Sequence, residues 1–393
     1  MRSYVIIGNG VAGTTAAEQI RKLDQEGKIT ILTDEDVPFY YRIRLPEVMS
    51  GDVQEEKLLA RKSEWYKDQR IDLRLKAKVT GADVGKKELV TAGGEKIPYD
   101  VLLVATGSYS FVPPIQGSDK KGVFTLRTMQ DARGIAQWAK NTKNVVVIGG
   151  GLLGLEAGNG LRKLGKKVMV VEFFPRLLPR QLDVDGAKRL QETMEGMGFS
   201  FRLGAKTREI TGPGQVTGVL LEGGEHLPCE MVVVSAGVRP SQTLAKDLDL
   251  AHDKGIKVDE RLATSRPDVF AAGDVVEYKG MVYGIWPASM DQGRIAGINM
   301  AGGDGVYQGT TMANTLKVVG IDLASAGEID AEGKFQSRVL SDAGIYKKIV
   351  SDQNRVIGCI MLGNTDQFGK VVKAISEKQD ASETIKMVFG TAS

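Results

Sequence analysis

One pattern occurs twice in this chain and constrains its fold more than anything else in it. It is an apolar strand, three glycines spaced G-x-G-x-x-G, and the opening of a helix. The first copy reads Tyr4-Val5-Ile6-Ile7-Gly8-Asn9-Gly10-Val11-Ala12-Gly13 and runs on through small residues to Glu18-Gln19-Ile20. The second reads Asn144-Val145-Val146-Val147-Ile148-Gly149-Gly150-Gly151-Leu152-Leu153-Gly154 and continues into Leu155-Glu156. The apolar run suits a fully buried parallel strand. The first glycine of each set permits the tight turn, the second lets backbone approach a diphosphate, and the third lets helix pack on strand. The helix N-terminus then presents free N–H groups and a positive dipole end to the phosphates. Each copy leads to a second strand ending on an acid that can accept hydrogen bonds from a ribose. Lys28-Ile29-Thr30-Ile31-Leu32 leads to Asp34-Glu35, with Asp34 21 residues past Gly13. Lys167-Val168-Met169-Val170-Val171 closes on Glu172, 18 residues past Gly154, against an expected interval of about 20. Strand, glycines, helix, strand and acid in this order, twice over, predict two dinucleotide-binding domains.

The repetition reaches beyond the fingerprints. Gly93-Gly94-Glu95-Lys96-Ile97-Pro98-Tyr99-Asp100-Val101-Leu102-Leu103-Val104-Ala105-Thr106-Gly107 is echoed 130 positions later, from Gly223 to Gly237, with six of fifteen residues identical. Internal duplication therefore predicts two domains, each with a three-layer α/β core and a small β-meander. Cys229 takes the slot of Tyr99 in this echo and reads as structural.

The chain's 393 residues are long enough for two or three domains with buried cores. Net charge is only +3, from 52 basic and 49 acidic side chains, which speaks against a nucleic-acid or membrane-surface protein. The first strand begins by Tyr4, so no signal peptide is expected, and no apolar run reaches transmembrane length. Cys229 and Cys359 stand far apart without a C-x-x-C pair, which fits a reducing cytoplasm.

The loop after the first acid, Val37-Pro38-Phe39-Tyr40-Tyr41-Arg42-Ile43-Arg44-Leu45-Pro46-Glu47, is dense in aromatics and arginine. It reads either as a packed connector or as a cover over a planar cofactor, with Arg42 near a phosphate or ring. Residues 72–104 read as short strands with turns at Gly81, Asp83–Gly85 and Ala92–Gly94, ending in Ala105-Thr106-Gly107. The prolines in Phe111-Val112-Pro113-Pro114-Ile115 predict an extended crossover. Asp268-Val269-Phe270-Ala271-Ala272-Gly273-Asp274 is a buried strand ending on an acid at the carboxyl edge, where such sheets bind ligands. A helix follows Trp286-Pro287 through Ala296. From about 310 the chain changes to strands at Leu316–Val319, Ile345–Val350 and Val356–Leu362, then a terminal helix from Asp366, which reads as a third small domain. His226 and His252 lie in polar loops without a second ligand nearby, so no metal site is expected. Lys370, Lys373 and Lys378 read either as a solvated helix face or as a docking patch.

Together these motifs resemble the flavoprotein reductases with two dinucleotide-binding domains, strongly over about residues 1–310 and loosely thereafter. The resemblance implies an α/β fold of two Rossmann-like three-layer domains, the second inserted in the first, plus a small α+β C-terminal domain. The implied boundaries are 1–111 with 243–309 for FAD, 112–242 for NAD(H), and 310–393 for the C-terminal domain. Carried over by position, Gly8, Gly10, Val11, Ala12, Gly13, Asp34 or Glu35, and Arg42 form the adenosine and diphosphate side of FAD. Val79, Ala105, Thr106, Gly107 and Arg127 match further FAD positions; Gly273 and Asp274 match its ribityl or diphosphate side, and Trp286 lies near the flavin ring. Gly149, Gly151, Leu152, Leu153, Gly154 and Glu172 match the NAD(H) side, with Glu156 and Gly237 near the nicotinamide.

Disulfide reductases of this family carry a C-x4-C pair after the first helix, and its cysteine-dependent oxidases one cysteine in the loop after the first acid. This chain has neither; Arg42, Ile43 and Arg44 occupy that loop. The resemblance then implies a reductase passing electrons from flavin to rubredoxin, ferredoxin or a nitrite-reductase centre. The loop Tyr40–Glu47 looks most like that of rubredoxin reductases, whereas ferredoxin reductases of oxygenase systems usually place lysine at Glu47. NADH is expected over NADPH, because Glu172 repels a 2′-phosphate and Phe173-Phe174 brings no cation, although Arg176 and Arg180 follow. The expected partner is a small, acidic iron carrier met by a monomer or homodimer. A peroxide-forming NADH oxidase and a redox-sensing flavoprotein are the alternative readings. No acid–base or nucleophilic triad is expected.

Overall fold

Each fingerprint strand sits at the centre of its own five-stranded parallel sheet. In the computed structural model, which describes residues 1–318, 320–342 and 344–390, the first sheet has the order Val269–Ala271, Val101–Val104, Ser3–Ile7, Lys28–Leu32, Ile71–Arg74. The second has the order Val123–Phe124, Met231–Val234, Asn144–Ile148, Lys167–Glu172, Ser200–Leu203. All pairings in both are parallel. Four strands of each sheet follow the same chain order, as the echoed sequence requires. The fifth differs: the first sheet takes its edge strand from residues 269–271, the second from residues 123–124. The direction of progression reverses beside each fingerprint strand, which opens the crevice where such sheets hold ligands.

Compact units group accordingly. One comprises Met1–Arg44, Val53–Tyr109 and Val238–Thr310; the other comprises Leu45–Asp52, Ser110–Gly237 and the chain from Thr311 on. In the first unit, helix Val11–Leu23 buries Ala12, Ala16, Ala17 and Ile20 on one face. Helix Trp286–Met300 packs against it at glycines, since a Cβ on Gly293 would lie 2.3 Å from the Ala12 oxygen and one on Gly297 2.6 Å from the Ala16 oxygen. Arg21, only 6% exposed, offsets the cost of burying its charge by donating to the carbonyls of Asp24, Gln25, Gly27, Gln69 and Arg70. A three-stranded meander, Val79–Asp83, Glu88–Thr91 and Lys96–Pro98, accompanies this sheet, and Thr207–Thr211, Gly218–Leu221 and His226–Pro228 accompany the other.

Within the second unit the C-terminal region is a five-stranded antiparallel sheet with helices Phe368–Ser376 and Ala381–Phe389. It is keyed to helix Val184–Gly196 through Asp183. One carboxylate oxygen of Asp183 accepts the Gly186 amide; the other accepts the Tyr346 hydroxyl at 2.6 Å and the buried Lys348 ammonium at 3.1 Å.

Several local expectations change. Gly81 is not a turn but lies inside strand Val79–Asp83, where the register shifts between Val79 and Gly81, so the glycine marks a bulge. His226 is not in a loop but in strand His226–Pro228, its Nε2 3.1 Å from the Thr211 hydroxyl. The loop after the first acid contains a turn at Arg42–Arg44 and a short helix, Leu45–Met49. The strand expected at Leu316–Val319 runs from Ala313 to Val318, and Val319 lies outside the described residues. Strands Ile321–Gly327 and Gln336–Asp342 were not foreseen, and the second is exposed along its whole length and so carries no buried-face alternation. The terminal helix is two helices, divided where Lys378 takes a φ of +53° and Asp380 caps the second by accepting the Ser382 amide.

Candidate cofactor-binding sites

Both glycine turns are built by the same contacts. Gly8 has a φ of +112° and Gly149 of +117°, and a Cβ on either would lie within 2.2 Å of a backbone oxygen, from Ala105 and Ser235 respectively. Ala105 and Ser235 are matched positions of the sequence echo, so the duplication preserves the contact as well as the motif. A Cβ on Gly13 or Gly154 would likewise meet the oxygen of Gly8 or Gly149 within 2.2 Å. Gly10 and Gly151 are the opposite case, because nothing lies within 4 Å of their Cβ positions. Each is the N-cap of its helix, Val11–Leu23 or Leu152–Lys163, with no side-chain cap and no acid in the first turn. Two helix N-termini are thus left with free N–H groups facing open space, a fit to diphosphate groups that any larger residue would obstruct.

In the first unit the other strand ends converge on this turn. Ala105 donates its amide to the Ile7 oxygen at 2.8 Å, Thr106 donates its hydroxyl to Ser241 at 2.9 Å, and the Ser241 amide returns to Gly107 at 2.9 Å. Gly273 is in contact with Ala12, a Cβ there lying 3.0 Å from the Ala12 methyl. The Asp274 carboxylate accepts the Ser108 hydroxyl at 2.7 Å and the Ser289 hydroxyl at 3.3 Å. The Gly273 amide donates to Gln292, 1% exposed, at 2.8 Å. Ser108 follows Gly107 directly and Ser289 follows Trp286 by one helical turn; both were overlooked in the sequence. Nothing in the sequence marked Gln292.

The two acids behave differently. Asp34 is exposed, whereas Glu35 accepts the Tyr40 hydroxyl at 2.6 Å and the Arg42 guanidinium at 2.5 Å. Arg42 is therefore bound to an acid of its own unit. Val79 begins the meander; just before it, the Lys76 and Ala77 amides donate to Glu35 and Thr33. Phe39 and Tyr41 each stack on Trp286, with centroids 5.7 Å apart and planes inclined by 19° and 26°. The loop that follows the acid thus forms an aromatic wall one turn away from Ser289. Arg127 belongs to the second unit, where its amide donates to Asp131 in the first turn of helix Met129–Ala139.

In the second unit Glu172 is 6% exposed, and its carboxylate accepts the Gly150 amide at 2.5 Å and the Phe174 amide at 2.8 Å. Phe173, next to Glu172, and Leu153, in the first turn of helix Leu152–Lys163, stand exposed, and Gly237, between strands Met231–Val234 and Val238–Pro240, has a φ of +95°. Glu156 lies on helix Leu152–Lys163, over which the short helix Leu45–Met49 packs at Gly160, where a Cβ would meet Met49 Cε at 2.6 Å. Burial, and then the charge of Glu47, push the Glu156 carboxyl up to about 7. No helix among the described residues is long and apolar enough to cross a membrane.

Known proteins similar to this chain agree with that architecture. The pyridine nucleotide-disulphide oxidoreductase family matches residues 2–303, and the rubredoxin NAD+ reductase C-terminal domain matches residues 313–379. A nitrite reductase [NAD(P)H] of Bacillus subtilis is 35% identical over 98% of this chain and 48% of its own length. The chain spans about half the length of the first such relatives it matches. An NADH-rubredoxin oxidoreductase of Clostridium acetobutylicum is 29% identical over 95% of this chain and 94% of its own. The solved structure of a NAD-dependent persulfide reductase from A. fulgidus superposes with a TM-score of 0.91 at 27% identity, covering 97% of this chain and 78% of that one.

Proposed function

This chain belongs to the pyridine nucleotide-disulphide oxidoreductase family, and on that premise we propose that it is a cytoplasmic FAD-dependent NADH oxidoreductase that hands electrons to a small iron protein of the rubredoxin or ferredoxin type. In this reading residues 1–111 with 243–309 hold FAD, residues 112–242 hold NAD(H), and residues 310–393 form the small C-terminal domain. The cytoplasm suits two cysteines that are both unpaired and buried.

The observation that carries the proposal is the loop after the first acid. Thiol-dependent members of the family place a cysteine there. In this chain Arg42 is bound to Glu35, and Phe39 and Tyr41 stack on Trp286. The cysteines present elsewhere are inert: burial pushes the thiols of Cys229 and Cys359 up to about 12, so neither is a thiolate at neutral pH. Electrons must therefore leave without a thiol relay.

FAD, when bound, takes two electrons together as a hydride and can return them singly. The chain's own residues bind, orient and shield. Gly8 to Gly13 and the start of helix Val11–Leu23 offer N–H donors to a diphosphate. Asp274, held from two sides by Ser108 and Ser289, presents a fixed acceptor for cofactor hydroxyls. The rings of Phe39 and Tyr41 stacked on Trp286 offer a planar ring an aromatic wall. In the second unit, the turn at Gly151 admits a second diphosphate, and Glu172 places negative charge where a 2′-phosphate would come.

The test is to release and identify the flavin, reduce the holoprotein with NADH in a stopped-flow instrument, and then offer rubredoxin, ferredoxin and oxygen. Carrier reduction should outpace oxygen reduction and slow as salt rises, since screening sets in over about 10 Å at 0.1 M ionic strength. Arg42 contributes little to that attraction because Glu35 neutralises it; exposed Lys370 and Lys373 remain, the latter 3.7 Å from Glu377. Carriers reduced no faster than oxygen, with no salt effect, would replace this reading with a peroxide-forming NADH oxidase. Very slow turnover with every acceptor would point to a redox sensor.

A further inference from the structure

Helix Trp286–Met300 grips the Gly273-Asp274 strand end in two places. Ser289 donates its hydroxyl to one carboxylate oxygen of Asp274 at 3.3 Å, while Ser108 donates to the other at 2.7 Å. Three residues further along the helix, the side-chain oxygen of Gln292 accepts the Gly273 amide at 2.8 Å. Residues three apart share a helix face. One face therefore holds the acid by its carboxylate and by the backbone just ahead of it.

The helix is a rigid mount for that grip. Gln292 is 1% exposed, and at the neighbouring Gly293 the helix lies too close to Ala12 for any side chain to fit between them. The turn being held is the soft partner, for Gly273 has a φ of +89° and no side chain to restrict its peptide. On either side the backbone is anchored: the Ala272 amide donates to the Val104 oxygen at 3.1 Å, and the Gly273 oxygen accepts the Val276 amide at 3.0 Å. Between those anchors the Gly273 N–H sets the plane of the peptide that leads into Asp274, and Gln292 is its acceptor.

The orientation of the Gln292 amide follows from the same bond. A backbone N–H can meet only its oxygen, so its NH2 group turns the other way, toward the Tyr307 hydroxyl. Burial pushes that phenol up to about 12, with hydrogen bonding from Thr310 and Gln292 acting against it, so it stays protonated at neutral pH. The Tyr307 hydroxyl lies 2.8 Å from that of Thr310, and the Tyr307 backbone oxygen accepts the Tyr278 hydroxyl at 2.8 Å. Tyr307 is thus itself pinned where it backs the amide.

We propose that Gln292 is a positioning residue for cofactor binding, which acts through Asp274 by fixing the Gly273 peptide and so aiming the carboxylate at the cofactor hydroxyls. It does not touch the cofactor. The inference rests on the reading that the first unit binds FAD. A glutamine that merely satisfied a buried amide would stabilise the chain with no link to Asp274, and a double-mutant cycle separates the two roles.

The cycle comprises Gln292→Met, which keeps the length of the side chain but has no amide, Asp274→Ala, and the two combined. FAD affinity is measured on apoprotein stripped of flavin, by titration of flavin fluorescence, together with the apo thermal midpoint. Gln292→Met should bind FAD about tenfold more weakly in the wild-type background. Beside Asp274→Ala the same change should cost less than about twofold, because the group it aims is gone. With FAD saturating, the visible circular dichroism of the flavin in Gln292→Met should shift in the same sense as in Asp274→Ala. Losses that multiply in the double variant overturn the proposal, as does a Gln292→Met protein with wild-type FAD affinity. Should Gln292→Met fail to fold, Tyr307→Phe, which removes only the group behind the amide, takes its place in the cycle. Its smaller loss should likewise vanish beside Asp274→Ala, and a loss that persists there overturns the proposal. Wild-type apoprotein that cannot be reconstituted with FAD removes the functional reading and this inference with it. Normal reconstitution with multiplying losses removes this inference alone.

Discussion

The Glu172 carboxylate accepts the amide proton of Gly150 at 2.5 Å, so the acid that ends the second strand also holds the second glycine turn. Its other oxygen holds the Phe174 amide at 2.8 Å. Glu172→Gln keeps one acceptor but loses the negative charge. The ratio of flavin-reduction rates with NADPH and NADH should therefore rise about tenfold, equivalent to roughly 1.4 kcal/mol of removed repulsion. Glu172→Ala leaves the buried Gly150 amide and the part-buried Phe174 amide without their acceptor and should in addition destabilise the protein by about 2 kcal/mol. Stopped-flow reduction with both nucleotides decides the matter, and wild type reduced equally fast by NADPH contradicts it.

Glycine substitutions separate folding from binding. A Cβ on Gly8 would lie 2.1 Å from the Ala105 backbone oxygen at a φ of +112°, so Gly8→Ala should not fold. Gly10→Ala meets nothing within 4 Å, and its only structural cost is a poorer N-cap, about 1 kcal/mol at most. Its apoprotein should melt nearly as wild type does, yet bind FAD at least about tenfold more weakly, because the methyl fills diphosphate space. Gly151→Ala should do the same to NADH and leave FAD alone. Isothermal titration with each nucleotide reads both effects.

The Glu156 carboxyl, raised to about 7 by burial and then by Glu47, links stability to pH. Its folded value lies above the unfolded value of about 4.3. Its contribution is therefore complete below the unfolded value and is lost as pH rises through 7. The thermal midpoint of the apoprotein should fall between pH 5 and pH 8 by more in wild type than in Glu156→Gln. Parallel curves for the two proteins would dismiss the coupling. Glu47→Gln should bring the Glu156 titration down toward the ordinary carboxylate range.

Neither thiol should matter to turnover. Cys229 and Cys359 are 1% and 0% exposed, and both are held protonated. Cys229→Ala/Cys359→Ala should reduce its acceptor within about threefold of wild type, after allowing for the cost of two small cavities. Loss of two orders of magnitude with the fold intact would restore thiol chemistry.

Much of this was legible because glycine spacing and buried apolar strands are local signals. The two fingerprints, the echo from Gly93 to Gly237 and the Gly273-Asp274 strand end needed no partner to be recognised. What escaped was relational. Asn9 looks like any small residue between glycines until Tyr66, 57 positions away, is seen to donate to it. Asp34 and Glu35 are equivalent on paper, but only Glu35 meets Tyr40 and Arg42. Gln336–Asp342 forms a strand by pairing with Ile345–Asp352, not by any pattern of its own, since none of it is buried. Asp183 and Lys348 lie 165 residues apart and announce nothing alone.

The differing edge strands of the two sheets set an order of events during synthesis. All five strands of the second sheet lie between residues 123 and 234, so that sheet can close as soon as Val234 has left the ribosome. The first sheet, although its central strand is made first, waits for residues 269–271, and Gly273 and Asp274 arrive only after them. The nucleotide unit that begins the chain is therefore the later of the two to be completed. Until then strand Val101–Val104 waits without the neighbour that residues 269–271 supply, which is the interval in which such chains are most exposed to aggregation.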